Sequence, residues 1–370
     1  MTFKELGIAG VFNKALKEQN IITPTEIQEQ AIPFLLKNGS DFIGQAQTGT
    51  GKTAAFGLPL LSHIDPQNDK VQALILAPTR ELGQQIAKEL FRFTKYSEKI
   101  FTESVYGGAP IERQISALRR PTQIVVATPG RLVDLLKRRA INLEHVKTIV
   151  LDEADEMMKM GFKEDIDIIL QKTNGQRSTW LFSATMPPDI RKIIRTYMSP
   201  KAYKVEIDRR SKVNKDIEHQ FVVCNEKEKL EFLLHFLKVN GKARGVIFCK
   251  TKSAAQTLSK QLISRKYQAD AIHGALLQKE RDKVMRAFKN QNLQILVATD
   301  IAARGIDVEN LSYVVHYQLP DQVDYYTHRS GRTARAGNKG LSLSFIENKE
   351  MKNLKFIERS LGIKMKRIRI

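Results

Sequence analysis

Short apolar runs that end in small or polar residues recur along the first half of the chain, at Ala73–Ala77, Ile124–Ala127, Thr148–Leu151 and Thr179–Phe182, with amphipathic helix-like stretches between them. Runs of that length bounded by turn residues predict buried strands, and their alternation with helical stretches predicts a parallel α/β sheet. The rhythm restarts in the second half with Gly245–Cys249, Ala269–Ile272, Ile295–Ala298, Tyr313–Tyr317 and Leu341–Ile346. Between the halves, from about Ser199 to Asp216, lies a charged stretch of weak periodicity carrying Pro200, Arg209, Arg210, Lys212 and Lys215. The pattern therefore predicts two α/β domains, residues 1–205 and 217–370, joined by a linker over 206–216. In such sheets function gathers in loops beyond the carboxyl ends of the strands.

Length agrees, since 370 residues suit two globular units of about 150 to 200 each. No stretch reaches the roughly 18 uninterrupted apolar residues of a membrane span. Residues 1–20 lack the apolar core and small-residue cleavage site of a secretory signal, so a soluble cytoplasmic protein with no membrane partner is expected. Cys224 and Cys249 sit in strand-like apolar contexts and read as buried thiols. Charge changes the picture more. Sixty Lys+Arg against 40 Asp+Glu leave +20, and residues 217–370 hold 28 basic and 15 acidic residues of that total. A surplus of this size points to a polyanionic partner.

Ala46-Gln47-Thr48-Gly49-Thr50-Gly51-Lys52-Thr53 follows the apolar run Asp41–Gly44 and precedes a helix-like segment, the strand–loop–helix context of a phosphate loop. Gly49 and Gly51 let backbone N–H groups turn inward around phosphate oxygens, Lys52 supplies a charge for the β- and γ-phosphates, and Thr53 offers its hydroxyl to Mg²⁺. The usual pattern opens with glycine, where this chain has Ala46. Val150-Leu151 then runs into Asp152-Glu153-Ala154-Asp155, delivering carboxylates to a strand end. Asp152 is expected to face Mg²⁺, with Glu153 orienting and deprotonating the attacking water.

Asp-Glu-Ala-Asp in this position resembles the signature of the DEAD-box RNA helicases, and further segments match that family in order from Phe3 to beyond Arg335. The resemblance implies two tandem RecA-like domains, each a mostly parallel sheet flanked by helices, with ATP and Mg²⁺ as cofactors and RNA as partner. Pro24-Thr25-Glu26-Ile27-Gln28 resembles the adenine-reading element, with Gln28 on the base and Phe3 as the upstream isolated aromatic; seven residues before Gln28, where the family usually stacks an aromatic, stands Ile21. Pro78–Leu82, Gly107-Gly108 and Thr128-Pro129-Gly130-Arg131 resemble RNA-contacting loops, implying that Arg80, Gly108, Thr128 and Arg131 hold the backbone. Ser183-Ala184-Thr185 resembles the element that bonds toward Asp155 and couples hydrolysis to RNA.

In the second half, Val246–Thr251, His273-Gly274 with Gln278 and Arg281, and Ala298–Asp307 resemble the family's second-domain motifs. Thr251, Gly274, Arg281 and Thr299 are thereby implied to face RNA, while Arg304 and Asp307 turn to the nucleotide. His328-Arg329-Ser330-Gly331-Arg332-Thr333-Ala334-Arg335 resembles the arginine motif, whose spacing puts Arg332 and Arg335 on one face of a turn, able to stabilise charge at the γ-phosphate. The family often has an aliphatic residue in place of Ser330 and Gly in place of Ala334. The implied activity is that of a monomeric ATP-dependent RNA helicase with half of its hydrolytic site in each domain. Two other readings use the same motifs: a DNA-translocating helicase, and an ATP-gated RNA clamp or RNA chaperone with little unwinding.

Overall fold

The computed structural model describes residues 1–37, 40–47, 49–173, 176–207, 215–303, 311–334 and 339–369. The chain divides into two compact units, Met1–Ile207 and Asp208–Ile370. In the first, strands β1 (Phe42–Gln45), β2 (Ala73–Leu76), β3 (Thr102–Val105), β4 (Ile124–Ala127), β5 (Thr148–Leu151), β6 (Ser178–Ser183) and β7 (Tyr203–Glu206) alternate with nine helices among the described residues. These are α1 (Gly10–Glu18), α2 (Glu26–Lys37), α3 (Lys52–Ser62), α4 (Arg80–Phe93), α5 (Ile111–Leu118), α6 (Pro129–Lys137), α7 (Ala154–Lys159), α8 (Lys163–Lys172) and α9 (Pro188–Tyr197). The strand order is β3-β4-β2-β5-β6-β1-β7, and every pairing is parallel.

Alternation along each strand splits the first core into two faces. Phe42, Ile75, Trp180 and Phe182 face one cluster, while Ile43, Leu74, Leu76 and Leu181 face the other. Each such side chain, taken wholly out of water, stabilises the fold by roughly 1.5–3 kcal/mol. At Gly44 only glycine fits, because a Cβ would lie 2.8 Å from the Phe182 ring. Strand β7 runs to Glu206, so the first residue of the expected linker closes this sheet's edge against β1.

The second unit repeats the plan with β8 (Ile217–Val223), β9 (Gly245–Phe248), β10 (Ala269–Ile272), β11 (Ile295–Ala298), β12 (Tyr313–His316), β13 (Gly340–Ile346) and β14 (Lys366–Arg367). Its helices are α10 (Lys229–Asn240), α11 (Lys252–Ser264), α12 (Gln278–Lys289), α13 (Asp300–Ala303), α14 (Val323–Ser330) and α15 (Met351–Leu361). The order is β10-β11-β9-β12-β13-β8-β14, again parallel throughout. Both units are RecA-like α/β sheets flanked by helices. Among the described residues, no helix is long and apolar enough to cross a membrane.

Candidate functional site

Strand order sorts the motifs of the first unit. Adjacent strands β5, β6 and β1 end in the acidic motif, the Ser-Ala-Thr element and the phosphate loop; adjacent strands β3, β4 and β2 end in the loops bearing Gly108, Thr128–Arg131 and Arg80. Two contiguous stretches of one sheet edge therefore carry the two sets.

In the phosphate loop, Gly49 and Gly51 hold φ of 82° and 85°, left-handed values that favour glycine. Ala46 is absent from the positive-φ residues, and its N–H donates to the Ser183 carbonyl at 3.0 Å, so glycine is not required there. Thr50 closes the loop through its hydroxyl to the Gln47 carbonyl at 2.8 Å, and buried Lys52 donates from Nζ to the Ala46 carbonyl at 3.1 Å. Thr48 lies outside the described residues.

Gln28 is buried against this loop. Its Oε1 accepts from the Thr25 N–H at 2.9 Å and its Nε2 donates to the Gly51 carbonyl at 2.9 Å, while the Thr25 hydroxyl donates to the Thr50 carbonyl at 2.7 Å. One amide hydrogen and one oxygen lone pair of Gln28 remain for a base. Phe3 is 2% exposed and belongs to the hydrophobic core, with Ile21 packed on the same cluster.

At the acidic motif, Asp152 is buried and accepts from the Glu153 N–H at 3.0 Å. Burial pushes its carboxyl above the ordinary carboxylate range, against the pull of Lys52. The buried Asp152 carboxyl, whose charge burial disfavours, and a Thr53 hydroxyl that bonds no described residue are hard-oxygen donors of the kind Mg²⁺ takes. Glu153 caps α7 at φ 50°, a left-handed conformation that costs a non-glycine residue about 1–3 kcal/mol.

Asp155 is the hub. Its Oδ2 accepts from the Thr185 N–H at 3.1 Å and the Thr185 hydroxyl at 2.7 Å, and its own N–H donates to Ser183 Oγ at 3.2 Å. Burial would raise the Asp155 carboxyl, but the bonds from Thr185 and Ser183 outweigh it and hold the group below its ordinary value. Ser183 also donates to the Thr185 carbonyl at 2.7 Å, and Gln45 reaches the Ala184 carbonyl at 3.4 Å. The phosphate-loop strand and the acidic motif are thus joined through one three-residue segment.

On the other stretch of the edge, Arg80 opens α4 behind the Thr79 cap, and its guanidinium lies 4.5 Å from the Tyr106 ring centroid. Gln114 clamps the Tyr106 backbone, accepting its N–H at 3.2 Å and donating to its carbonyl at 3.0 Å. Next to it Gly107 donates to Thr128 Oγ1 at 3.4 Å, and Gly108 has φ 81°. Arg131 donates from Nη2 to the Ala109 carbonyl at 3.0 Å, while its Nε and Nη1 are buried without a partner. Two buried guanidinium donors lacking acceptors mark a place for an anion.

In the second unit, adjacent strands β10, β11 and β9 end at Gly274, Thr299 and Thr251. Thr251 caps α11 by accepting from the Ala254 N–H at 3.1 Å, and a Cβ on Gly274 would touch Lys252 at 3.5 Å. Arg281 donates to the Ala302 carbonyl at 2.8 Å, tying α12 to α13. His328 is buried on α14, and Arg332 follows that helix half-buried. Arg304, Asp307 and Arg335 lie outside the described residues.

Arg329 lies within the arginine motif, where neither spacing nor the resemblance implies a role for it. It is fully buried, with Nε and Nη2 gripping both oxygens of Asp300 at 2.6 and 2.8 Å and Nη1 donating to the Gln318 carbonyl at 2.8 Å. This bidentate pair locks the arginine motif to the segment bearing Thr299. Ser330 is satisfied by His316 at 3.2 Å and Ser342 at 2.9 Å, which explains a hydroxyl in that place. Burial, reinforced by Arg329, holds the His316 imidazole well below its ordinary value and therefore neutral. Ala334 has φ 56°, the conformation for which glycine is the usual residue. Tyr106 and Gln114 had no signal beyond lying beside Gly107-Gly108.

The DEAD/DEAH box helicase family model matches residues 25–193, and the helicase conserved C-terminal domain model matches residues 228–337. The ATP-dependent RNA helicase CshA of Limosilactobacillus reuteri is 46% identical over 367 residues, covering 99% of this chain and 73% of its own. CshA of Listeria monocytogenes is 44% identical over 364 residues, 98% of this chain and 69% of its own. Among solved structures, S. cerevisiae Dbp5 bound to RNA and ADP BeF3 superposes with a TM-score of 0.91 at 32% identity, covering 99% of this chain and 95% of that one. A DEAD box protein from the hyperthermophile Methanococcus jannaschii is 40% identical over 100% of this chain and 99% of that one, with a TM-score of 0.59.

Proposed function

The chain belongs to the DEAD/DEAH box helicase family, and from that membership we propose that it is an ATP-dependent RNA helicase that hydrolyses ATP to ADP and phosphate and locally opens short RNA duplexes. The observation that carries the reading is the segment Ser183–Thr185. It joins the phosphate loop to the acidic motif on the same sheet edge that holds the partnerless Arg131 donors.

In this reading Gln28 selects adenine, the loop Ala46–Thr53 wraps the phosphates, and Lys52 exchanges the Ala46 carbonyl for a phosphate oxygen, a charge-assisted bond and the stronger of the two. Thr53 and Asp152 would hold Mg²⁺, which would supply charge neutralisation at the phosphate oxygens. Glu153 orients the attacking water and takes its proton. In the second unit, Arg332, Arg335, Arg304 and Asp307 are the residues assigned to the nucleotide. Asp155, Ser183, Thr185 and His328 transmit occupancy of one set to the other. Arg80, Gly108, Thr128 and Arg131, with Thr251, Gly274, Arg281 and Thr299, grip phosphates and 2′-hydroxyls, so binding is RNA-selective, sequence-tolerant and weakened by salt. The acting form is a cytoplasmic monomer; sedimentation at working concentration tests the oligomeric state.

The test is steady-state ATPase with and without single-stranded RNA, for the intact chain and for Glu153→Gln. The expected result is strong RNA stimulation that the variant loses while it keeps ATP-dependent RNA binding. RNA-independent turnover would refute the coupling, equal stimulation by DNA would favour a DNA translocase, and turnover without release of a short duplex strand would favour the clamp.

A further inference from the structure

The edge of the second unit formed by α15 and β14 is a basic surface that the reaction above does not use. Residues 349–369 hold eight basic and two acidic residues. Both carboxylates turn to backbone amides: Glu350 accepts from the Glu347 N–H at 3.0 Å and Glu358 from the Met365 N–H at 2.7 Å. The cations turn outward. Leu354, Ile357 and Leu361 fix α15 to the core, and at 3.6 residues per turn Lys352, Lys355, Phe356 and Arg359 fall within about 100° of one another on the opposite face. All four are exposed, the Phe356 ring at 58%. Past Gly362, β14 joins β8 at the sheet edge with Lys364, Lys366, Arg367 and Arg369 exposed, while Met365 is buried and Ile368 packs on the core. None of these seven charged groups makes an ion pair or hydrogen bond with a described residue.

Charges on an edge strand guard against strand addition, but the cations of α15 stand on a helix, where no strand can add. Here three cations share the outer face of α15 with an exposed aromatic ring and four more follow in residues 364–369, an arrangement that a polyanion with stacking bases relieves. We propose that this edge is a second, sequence-independent RNA-binding surface, its lysines and arginines taking phosphates and Phe356 stacking on an unpaired base. The proposal rests on the RNA-helicase reading of the chain. In the sheet, β14 stands four strands from β9, about 19 Å at a strand spacing of about 4.8 Å. An RNA seated on Thr251 and Gly274 has to run on by roughly six nucleotides, at about 3.4 Å each, to touch both surfaces.

The experiment measures ATPase stimulation of the full chain by two single-stranded RNAs, one too short to span that distance and one longer by about 15 nucleotides. The proteins are the parent, Lys352→Glu/Lys355→Glu/Arg359→Glu, the same positions changed to Gln, and Phe356→Ala. For the long RNA, the charge-reversed protein should need roughly tenfold more RNA for half-stimulation, and its log–log salt slope should fall by about 2, from about 0.7 per phosphate contact at three contacts. The Gln variant should show the same slope change, which keeps the test valid if charge reversal disturbs folding. Phe356→Ala should weaken the long RNA severalfold with the slope unchanged. For the short RNA, half-stimulation should be unchanged in every variant. Equal long-RNA values and slopes in parent and Gln variant would overturn the proposal, and aggregation of the variants without a change in affinity would leave edge protection as the explanation. If the parent responds to neither RNA, the helicase reading itself fails.

Discussion

Replacing Thr185 by valine keeps the shape of the side chain and deletes one hydrogen bond, the 2.7 Å donation to Asp155 Oδ2. Asp155 is 1% exposed and its Oδ1 has no hydrogen-bond partner, so the carboxylate would keep the Thr185 N–H and the nearby Ser183 hydroxyl but lose its shortest bond. A hydrogen bond to a charged buried group is worth about 1.5–3 kcal/mol. Taking about 2 kcal/mol, and an m-value of about 2 kcal/mol/M for a unit of this size, the urea midpoint should fall by about 1 M. The readout is clean because the chain has a single tryptophan, Trp180, fully buried in the first unit, so its fluorescence follows that unit's unfolding. The pH dependence has a definite sign. The folded Asp155 carboxyl is depressed, so its contribution is present above the unfolded carboxyl value of about 3.9 and is lost as pH falls through the folded one. Parent and variant should therefore differ constantly from neutral pH down to about 5 and converge below about 4. A midpoint shift under about 0.3 M at pH 7, or a difference that persists in acid, would refute the assignment of Asp155 as a hydrogen-bonded anion.

Removing the charge of Asp300, by Asp300→Asn, leaves buried Arg329 without its counter-ion and should destabilise the second unit by about 3 kcal/mol, read by hydrogen exchange of β12 and β13 amides. Ser330→Ile, toward the residue type usual in the family, should cost about 2 kcal/mol because His316 and Ser342 each lose a partner in a fully buried place; thermal unfolding decides. Ile21→Phe should lower the KM for ATP roughly fivefold through stacking worth about 1 kcal/mol, with kcat unchanged, and no change would show that the base does not pass this residue.

The central strands were legible because both their faces are apolar. Ile124–Ala127 and Thr148–Leu151 match the structure residue for residue, and Gly245–Cys249 runs one residue past β9. What went unread lies at or beside the edges. Strand β3 is Thr-Glu-Ser-Val with three half-buried positions, β7 shows a single buried residue, and β14 is two exposed cations. An edge strand is solvated on one side and carries no continuous apolar run, so its pattern merges with that of a loop. At the site, chemistry-bearing motifs could be read because phosphate and carboxylate chemistry restricts residue type. The supports could not, since Gln114 acts on a backbone eight residues away and Arg329 on a carboxylate 29 residues away. Nothing in local spacing encodes such partners.

The position of β1 has a consequence for how the protein is made. That strand is paired on one side by β6 and on the other by β7, so the segment carrying the phosphate loop leaves the ribosome with neither neighbour until residues 178–206 have followed it. At about 5–20 residues per second, some 140 residues of synthesis amount to roughly 7 to 30 seconds during which Phe42 and Ile43 have no sheet to join. With every pairing parallel, no hairpin can shelter them in the meantime, and the nascent chain is most open to misassociation and to chaperones before Glu206 is added.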